Sequence, residues 1–243
     1  MFIELNKNHT KGLAKLHQKK YRLLNKKTIV EGARIIEQLH SYGIKFDELI
    51  ISDKCEIDIS HYSTKKIHSA TEDQMKKITN TKTPQNIAAV INTDLIPVTE
   101  NKLLLYLDGI SDPGNLGTIF RTATAAGVSG IILSPDCCEI YNPKVIRSSL
   151  GSVFFLPSET REHSWLKSLD ITIIATTLQD ATNLFELKKP TSAMLVIGSE
   201  AFGVSDEILQ IADHKVKIPI PGNIESMNAA VAAGIAIYHL IDK

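Results

Sequence analysis

The sequence has little cysteine, no long apolar run and no paired histidine motif, and each shortage excludes a class of protein. Three cysteines in 243 residues, two of them adjacent at Cys137 and Cys138, cannot build a disulfide framework or a CxxC metal site. The eight histidines form no HExxH pair. No run of about 18 apolar residues occurs, and the polar, basic start contains no signal-peptide core. The composition therefore predicts a reduced, cytoplasmic protein with no membrane partner and no structural metal.

The common cofactor and nucleophile motifs are also absent. No GxGxxG follows a strand-like segment, and neither a GxxxxGK[ST] phosphate loop nor a GxSxG nucleophile elbow occurs. The net charge is zero, yet residues 1–30 carry eight Lys or Arg against one acid. Such a basic stripe can neutralise phosphates locally. A solvated helix face is the alternative explanation.

The first hundred residues predict a small α/β/α unit. A helix is expected over 28–42, because apolar residues recur there at helical spacing and Gly43 follows. Thr71 and Gln74 have the spacing of a capping box, and 47–52 and 86–92 are short apolar strands. Polar residues around Pro97 indicate a linker. We predict a first domain over 1–95, a linker over 96–102 and a second domain over 103–243.

From Leu103 onward, apolar strands alternate with helices. Strands are expected at 103–108, 130–134, 153–157, 171–176, 193–199 and 216–220, with a short helix over 143–151. Continuous apolar strands separated by helices predict a mostly parallel sheet with both faces covered. Ligands bind outside the carboxyl ends of the strands in such sheets. The functional site is therefore expected in the loops at those ends.

Three of these loops combine glycines with polar side chains. The first runs from Asp112 to Gly117, with Arg121 on the helix that follows. The second is GSEAFG over 198–203, and the third runs from Pro219 to Asn228. The third leads into a helix, expected to begin near Ser226, that is built from small and apolar residues and is therefore buried on more than one side. A core helix with a serine cap is the alternative there, but three such loops together indicate one composite site.

The three loops resemble the three motifs of the SpoU (TrmH) family of RNA ribose 2′-O-methyltransferases, in the SPOUT superfamily. GNLGTIFRTATAAGV is similar to the first motif, VIGSEAFGVSDEI to the second and IPIPGNIESMNAAVAAGIA to the third. The resemblance implies a deep trefoil knot within 103–243, S-adenosyl-L-methionine bound in that knot, and a homodimer formed through the last helix. Residues 9–92 resemble, less specifically, an L30e-like substrate-binding domain.

The resemblance implies roles for individual residues. The catalytic residues would be Asn115, Arg121, Glu200, Ser226 and Asn228. The cofactor-binding residues would be Thr176, Gly198, Gly203, Ile218, Pro219 and Met227, the last replacing a leucine that is commoner in the family. The basic stripe and the family pattern together predict RNA contacts at Lys11, Lys19, Lys20, Arg22 and Arg147. Because an arginine side chain keeps its proton, Arg121 is expected to bind the target phosphate and orient the hydroxyl, and Glu200 to hold its loop or Arg121.

The implied activity is S-adenosylmethionine-dependent methylation of a ribose 2′-hydroxyl in structured RNA. Ribosomal RNA is the expected substrate, since tRNA enzymes of the family usually carry a short helical extension in place of an α/β domain. A tRNA ribose methyltransferase is the alternative within this class. A non-catalytic RNA-binding scaffold that keeps the knot is the alternative from another class.

Overall fold

The computed structural model describes residues 2–79, 81, 83–99 and 102–241. The chain forms two compact units. The first comprises Met1–Asp94 and Tyr141–Phe155, and the second Leu95–Ile140 and Leu156–Lys243. This division differs from the predicted contiguous domains, because 141–155 joins the first unit. Within the predicted linker, Glu100 and Asn101 lie outside the described residues.

The described chain contains twelve strands and eight α-helices. The strands are β1 (Ile3–Glu4), β2 (Lys27–Glu31), β3 (Glu48–Ser52), β4 (Ile67–Ala70), β5 (Ile87–Asn92), β6 (Leu103–Asp108), β7 (Gly130–Leu133), β8 (Ser158–Thr160), β9 (Thr172–Thr176), β10 (Thr182–Asn183), β11 (Ala193–Gly198) and β12 (His214–Lys217). The helices are α1 (Lys7–Ala14), α2 (Lys19–Asn25), α3 (Ala33–Ser41), α4 (Glu72–Thr79), α5 (Pro113–Ala126), α6 (Pro143–Ser148), α7 (Asp206–Leu209) and α8 (Ala229–Leu240). Short 3-10 helices cover Lys15–His17, Ser152–Phe154, His163–Ser168 and Leu184–Glu186.

The first unit is built on a five-stranded mixed sheet with the order β1-β4-β3-β5-β2. β5 is antiparallel to β2 and β3, and the other pairs are parallel. The predicted helix over 28–42 is wrong in its first part. Thr28, Ile29 and Val30 belong to β2, where β-branched side chains suit a pleated, half-buried surface, and Gly32 separates that strand from α3. The predicted capping box is confirmed, since Thr71 N–H donates to Gln74 Oε1 at 2.8 Å and Gln74 N–H donates to Thr71 Oγ1 at 3.3 Å.

The segment 141–155 packs within the first unit. Asn142 caps α6 by accepting from Lys144 N–H at 2.9 Å, and Pro143 occupies the first helical position, as predicted. Gly151 has φ +81°, and a Cβ there would lie 3.0 Å from Leu39 Cδ2, so backbone conformation and space both favour glycine. The predicted strand over 153–157 is wrong. A short apolar run does not distinguish a strand from a buried helical turn, and a 3-10 helix follows Gly151 instead.

The second unit is built on a seven-stranded sheet with the order β10-β12-β9-β11-β6-β7-β8. Every strand pair in it is parallel. β6 and β11 are buried along their whole length, which is why both are continuously apolar up to their last residues. The predicted parallel sheet is therefore confirmed, and its core includes Leu104, Tyr106, Met194 and Val196. No helix in the described part of the chain is long and apolar enough to span a membrane.

Two helices of the second unit, α5 and α8, pack against each other. The Asp112 carboxylate caps α5 by accepting from Asn115 N–H at 2.8 Å. α8 begins at Ala229 and not near Ser226, because the Asn228 side chain provides the cap and accepts from Ala230 N–H and Val231 N–H. A Cβ on Gly234 of α8 would lie 3.5 Å from Thr122 Cγ2 of α5. The small residues of α8 thus allow a close contact with α5.

Candidate active site

A cavity of about 470 Å³ lies at the carboxyl ends of β9, β11 and β12. Its walls come from four stretches, 176–179, 197–204, 216–220 and 226–232, together with Asp206 and Leu209 of α7. The second and third of the predicted loops therefore meet at one cavity, at the sheet edge where the sequence placed the site. The volume is within the range of about 300–1,000 Å³ typical of small-molecule sites.

The loop after β11 folds back tightly onto the strand that precedes it. Gly203 N–H donates to Ser199 O at 2.9 Å, and Phe202 N–H donates to Ser199 Oγ at 3.2 Å. A Cβ at position 198 would lie 2.0 Å from the Gly203 carbonyl carbon, which no side chain can accept. Glycine at 198 is therefore required by the returning backbone. The turn leaves Phe202 92% exposed at the cavity.

Polar residues from all three loops form one hydrogen-bonded chain. Asn115 Nδ2 donates to Glu200 Oε1. Asn228 Nδ2 donates to Asn115 Oδ1 at 2.9 Å, and Asn228 Oδ1 in turn caps α8. The three side chains are thus held in fixed positions relative to one another and to the N-terminus of α8. The partner of Glu200 is thus Asn115 of α5, and the expectation that Glu200 holds its own loop or Arg121 stays a prediction.

Arg121 is exposed on α5, six residues beyond Asn115. At about 100° and 1.5 Å per residue, it lies about 9 Å along the helix from Asn115 and about a third of a turn around it. The hydrogen bonds and ion pairs of the described residues do not connect Arg121 with the chain formed by Asn115, Glu200 and Asn228. Its guanidinium therefore faces solvent beside the network, where an anionic ligand can reach it.

The predicted cofactor residues largely coincide with the cavity wall. Thr176, Gly198, Gly203, Ile218 and Met227 line it, as do Glu200 and Ser226. The hydroxyl of Thr176 donates to Val196 O at 3.0 Å, which leaves its backbone groups to face the cavity. Pro219 is exposed and lies between two residues of the wall, Ile218 and Ile220, so its cofactor contact stays a prediction.

Several residues of the site were missed by the sequence reasoning. Thr177, Leu178 and Gln179 line the cavity directly after β9, and the rule on strand carboxyl ends could have found them. Asp108, at the end of β6, accepts from Ser205 N–H at 2.8 Å, and His163 Nε2 lies 2.9 Å from its other oxygen. Asp108 thus anchors the loop after β11. Its partner His163 is 55 residues away in sequence, so no local pattern signals the pair.

Cys137 and Cys138 do not belong to this site. The Cys137 thiol donates to Leu107 O at 3.1 Å, and burial raises its pKa. A raised pKa keeps the thiol protonated and poorly nucleophilic, which suits a packing role.

The predicted RNA-binding residues all lie in the first unit, and one of them is a correction. Arg22 is only 3% exposed, and its Nη1 donates to Leu16 O at 2.9 Å and to His17 O at 2.8 Å. A buried guanidinium that bonds these backbone carbonyls holds α2 to the 3-10 helix Lys15–His17 and cannot reach a phosphate. The other predicted contacts are exposed, namely Lys11, Lys19, Lys20 and Arg147. Arg147 is near enough to His17 to lower its pKa, after the larger effects of burial and of Arg22.

Comparisons with known proteins relate both units to RNA-modifying enzymes. Residues 102–238 match the model of the SpoU rRNA methylase family, and residues 7–89 match the MRM3-like substrate-binding domain. The 23S rRNA (guanosine(2553)-2′-O)-methyltransferase RlmP of Bacillus subtilis is 34% identical over 98% of each chain. A solved AdoMet-bound rRNA methyltransferase from Sinorhizobium meliloti is 26% identical with a TM-score of 0.85, over 99% of this chain and 96% of its own. The SpoU methyltransferase AviRb of Streptomyces viridochromogenes, solved with AdoMet, is 25% identical with a TM-score of 0.85 over 97% of both chains.

The parallel sheet and the cavity at its carboxyl edge thus define a methyltransferase of the SPOUT class. Within that class, the chain belongs to the SpoU rRNA methylase family. The trefoil knot implied by the resemblance stays a prediction.

Proposed function

We propose that this protein transfers a methyl group from S-adenosyl-L-methionine to the 2′-hydroxyl of a ribose in ribosomal RNA. The observation that carries this proposal is the single hydrogen-bonded chain through Asn115, Glu200 and Asn228 beside a cavity of cofactor size. The relatives that match along the whole chain and are named for a ribosomal substrate favour rRNA over tRNA. An rRNA substrate also favours the cytoplasm as the place of action.

The cavity wall suits the chemical groups of S-adenosylmethionine. Apolar side chains, among them Ile197, Ile218 and Met227, offer a surface for an adenine ring. The carboxylates of Glu200 and Asp206 line the same cavity and can attract a sulfonium cation. When bound, the cofactor supplies an activated methyl group. Thr176, Gly198 and Gly203 would hold it through backbone groups.

In the proposed reaction the ribose 2′-oxygen would form a bond to the methyl carbon, the bond from that carbon to sulfur would break with its electron pair left on sulfur, and the hydroxyl proton would pass to solvent. The chain's contribution is to position the hydroxyl in line with the methyl group. Arg121 would bind the adjacent phosphate as a charged donor. Asn115 and Ser226 would bind the ribose, and Glu200 and Asn228 would keep Asn115 oriented. The distance along α5 from Asn115 to Arg121, about 9 Å, leaves room for a nucleotide to contact both.

The exposed cations of the first unit would bind the RNA backbone. Lys11 lines a shallow cavity with Lys76 and Lys77, although Lys76 also pairs with Glu72 at 2.9 Å. Counterion release makes phosphate binding depend on salt. The salt slope, which is the change in the logarithm of the binding constant with the logarithm of the salt concentration, falls in magnitude by about 1 for each lost contact.

The double variant Lys19→Gln/Lys20→Gln tests this surface. It is expected to weaken RNA binding and to reduce the salt slope by about 2, measured by filter binding across a salt series. Lys188→Gln/Lys189→Gln in the second unit is the charge-matched control and should leave the slope unchanged. An unchanged slope in the first variant would place the RNA surface elsewhere.

We further propose a homodimer that uses the outer face of α8. Val231 and Tyr238 are 53% and 60% exposed and seven residues apart, so they lie on one helix face. Ile235 lies between them on the same stripe, while Ala233, Ala236 and Ile237 are buried on the opposite side. Sedimentation of wild type and Tyr238→Glu tests this: a dimer that dissociates in the variant supports the proposal, and a wild-type monomer refutes it.

Calorimetric titration of S-adenosylmethionine, with NADH as a control, tests the reaction class. Binding of the first ligand and not the second is expected. Transfer of labelled methyl groups to rRNA and to tRNA from a strain lacking the gene then separates the two substrates. Absence of cofactor binding would favour the RNA-binding scaffold, and labelling of tRNA alone would overturn the rRNA assignment.

A further inference from the structure

A cluster of two histidines and a glutamate lies in the first unit, outside the site described above. His9 is on α1, Glu48 is the first residue of β3, and His68 is on β4. Their ligand atoms lie within 4.8 Å of one another. Glu48 Oε2 is 2.8 Å from His9 Nε2 and 3.2 Å from His68 Nε2. The proposed methyl transfer uses none of these residues.

The sheet register explains why residues so far apart in sequence meet. His68 pairs with Ile50 across the parallel β3–β4 ladder, so the two side chains lie on the same face. Glu48 precedes Ile50 by two residues and therefore shares that face. Leu13 of α1 and Ile50 belong to the same buried cluster, so α1 covers this face and brings His9 over it. No single segment carries the motif, which is why the sequence analysis expected no structural metal.

The polar atoms of the cluster lack the hydrogen bonds that their burial demands. The side chain of His68 is 5% exposed, and neither of its ring nitrogens has a hydrogen-bond partner in the described structure. Glu48 Oε2 is likewise buried without a hydrogen bond, although two imidazole nitrogens are within 3.2 Å of it. An imidazolium paired with this carboxylate would direct an N–H bond at the oxygen. Two buried atoms without such bonds, Glu48 Oε2 and His68 Nε2, with His9 Nε2 2.8 Å from the first, are typical of ligands around a cation.

We propose that His9, Glu48 and His68 bind a divalent transition-metal ion of the Zn²⁺ type. Imidazole and carboxylate are ligands that zinc accepts, and two histidines with one carboxylate form a known three-ligand set. Ligand atoms about 2.0–2.1 Å from a tetrahedral ion are about 3.4 Å apart, close to the 2.8 and 3.2 Å separations found here. His9 keeps 30% of its side chain exposed, so water completes the coordination from that side. The ion joins α1, which carries Lys11, to the centre of the sheet.

The test uses the full-length chain, freed of metal by a chelator and then titrated with Co²⁺ and Zn²⁺. One Co²⁺ per chain is expected, with a visible spectrum of tetrahedral type that Zn²⁺ abolishes. His9→Ala and Glu48→Gln each remove one ligand and should weaken binding by more than about 100-fold, since even the loss of an outer partner costs about 10–100-fold. His61→Ala is the matched control, because His61 also lies beside a glutamate, 3.2 Å from Glu37 Oε2, but belongs to no three-ligand group among the described residues.

Three outcomes overturn the proposal: no stoichiometric binding, binding unchanged in both ligand variants, or a near-ultraviolet thiolate band showing that a cysteine holds the ion. His9 lies half-exposed on a helix, so its alanine variant should stay folded, and circular dichroism verifies this. Thermal unfolding gives a second measurement. Zn²⁺ should raise the melting temperature of wild type and of His61→Ala but not that of His9→Ala.

Discussion

Replacing Gly198 by alanine tests whether the returning loop shapes the cofactor cavity. The added Cβ would lie 2.0 Å from the Gly203 carbonyl carbon and 2.2 Å from Val204 N. Carbon atoms in ordinary contact are about 3.5 Å apart, so the loop has to move by about 1.5 Å. The obstacle is backbone and not a flexible side chain, and the Asp108 carboxylate holds Ser205 two residues beyond Gly203. The displacement is therefore forced onto the cavity wall.

The size of the expected loss of activity follows from this shift of the loop. A misplacement of about 1 Å in a bound geometry costs about 100-fold, so methyl transfer should fall at least about 100-fold, equivalent to about 2.7 kcal/mol. Overpacking a well-packed region costs about 1–3 kcal/mol of unfolding free energy. We expect calorimetry to show the loss of S-adenosylmethionine affinity and circular dichroism to show a lower melting temperature with the secondary structure intact.

Gly222→Ala is the matched control for this variant. A Cβ on Gly222 meets nothing within 4 Å, and its backbone φ lies outside the region that favours glycine. This control should retain cofactor affinity and melting temperature. Wild-type affinity in Gly198→Ala would refute the argument, because it would mean that the loop position does not determine the cavity.

Three further predictions test the network, the arginine and the pH dependence. Asn228→Asp keeps the helix cap but loses the donor to Asn115, so methylation should fall without loss of stability. Asn228→Ala loses the cap as well and should also lose about 1 kcal/mol of unfolding free energy. Equal melting temperatures in the two variants would contradict this. Arg121→Ala should abolish methyl transfer and leave the cofactor affinity measured by calorimetry unchanged. Arg161→Ala is the control and should stay active. Loss of cofactor affinity together with activity in Arg121→Ala would rule out the assigned role. Burial lowers the pKa of His17 from 6.5, so the unfolded chain binds more protons and stability should fall as pH drops below about 6.5. His17→Gln should flatten that decline in thermal unfolding, and an identical pH profile would disprove the contribution of His17.

The parallel sheet and its site edge could be predicted because burial on both faces leaves a strong local signal. β6 is apolar up to Asp108 and β11 is apolar throughout, and the glycine-containing segments that follow them carry polar residues of the site. The contact between Glu200 and Asn115 joins residues 85 positions apart. The rule on strand carboxyl ends and the resemblance to the family placed their loops in one site, but neither predicted this particular contact.

The failures arose where local patterns are ambiguous or partners are distant. Ser226 and Asn228 both suit a helix cap, and only the positions of Ala230 N–H and Val231 N–H decide between them. Arg22 stands in a run of exposed lysines, yet its guanidinium turns inward to Leu16 O and His17 O. Charge density along a sequence does not reveal which cation is taken up by the backbone.

The assignment of residues 141–155 to the first unit also affects how the chain folds during its synthesis. That unit lacks part of its packing until Phe155 has been synthesised, 61 residues after Asp94. At about 5–20 residues per second, the nascent chain waits about 3–12 s for the segment that covers Leu39. By then β6, α5 and β7 have been made as well. The first unit is therefore completed only after synthesis of the second has begun, and a cut at the predicted linker would separate the first unit from a segment that packs within it.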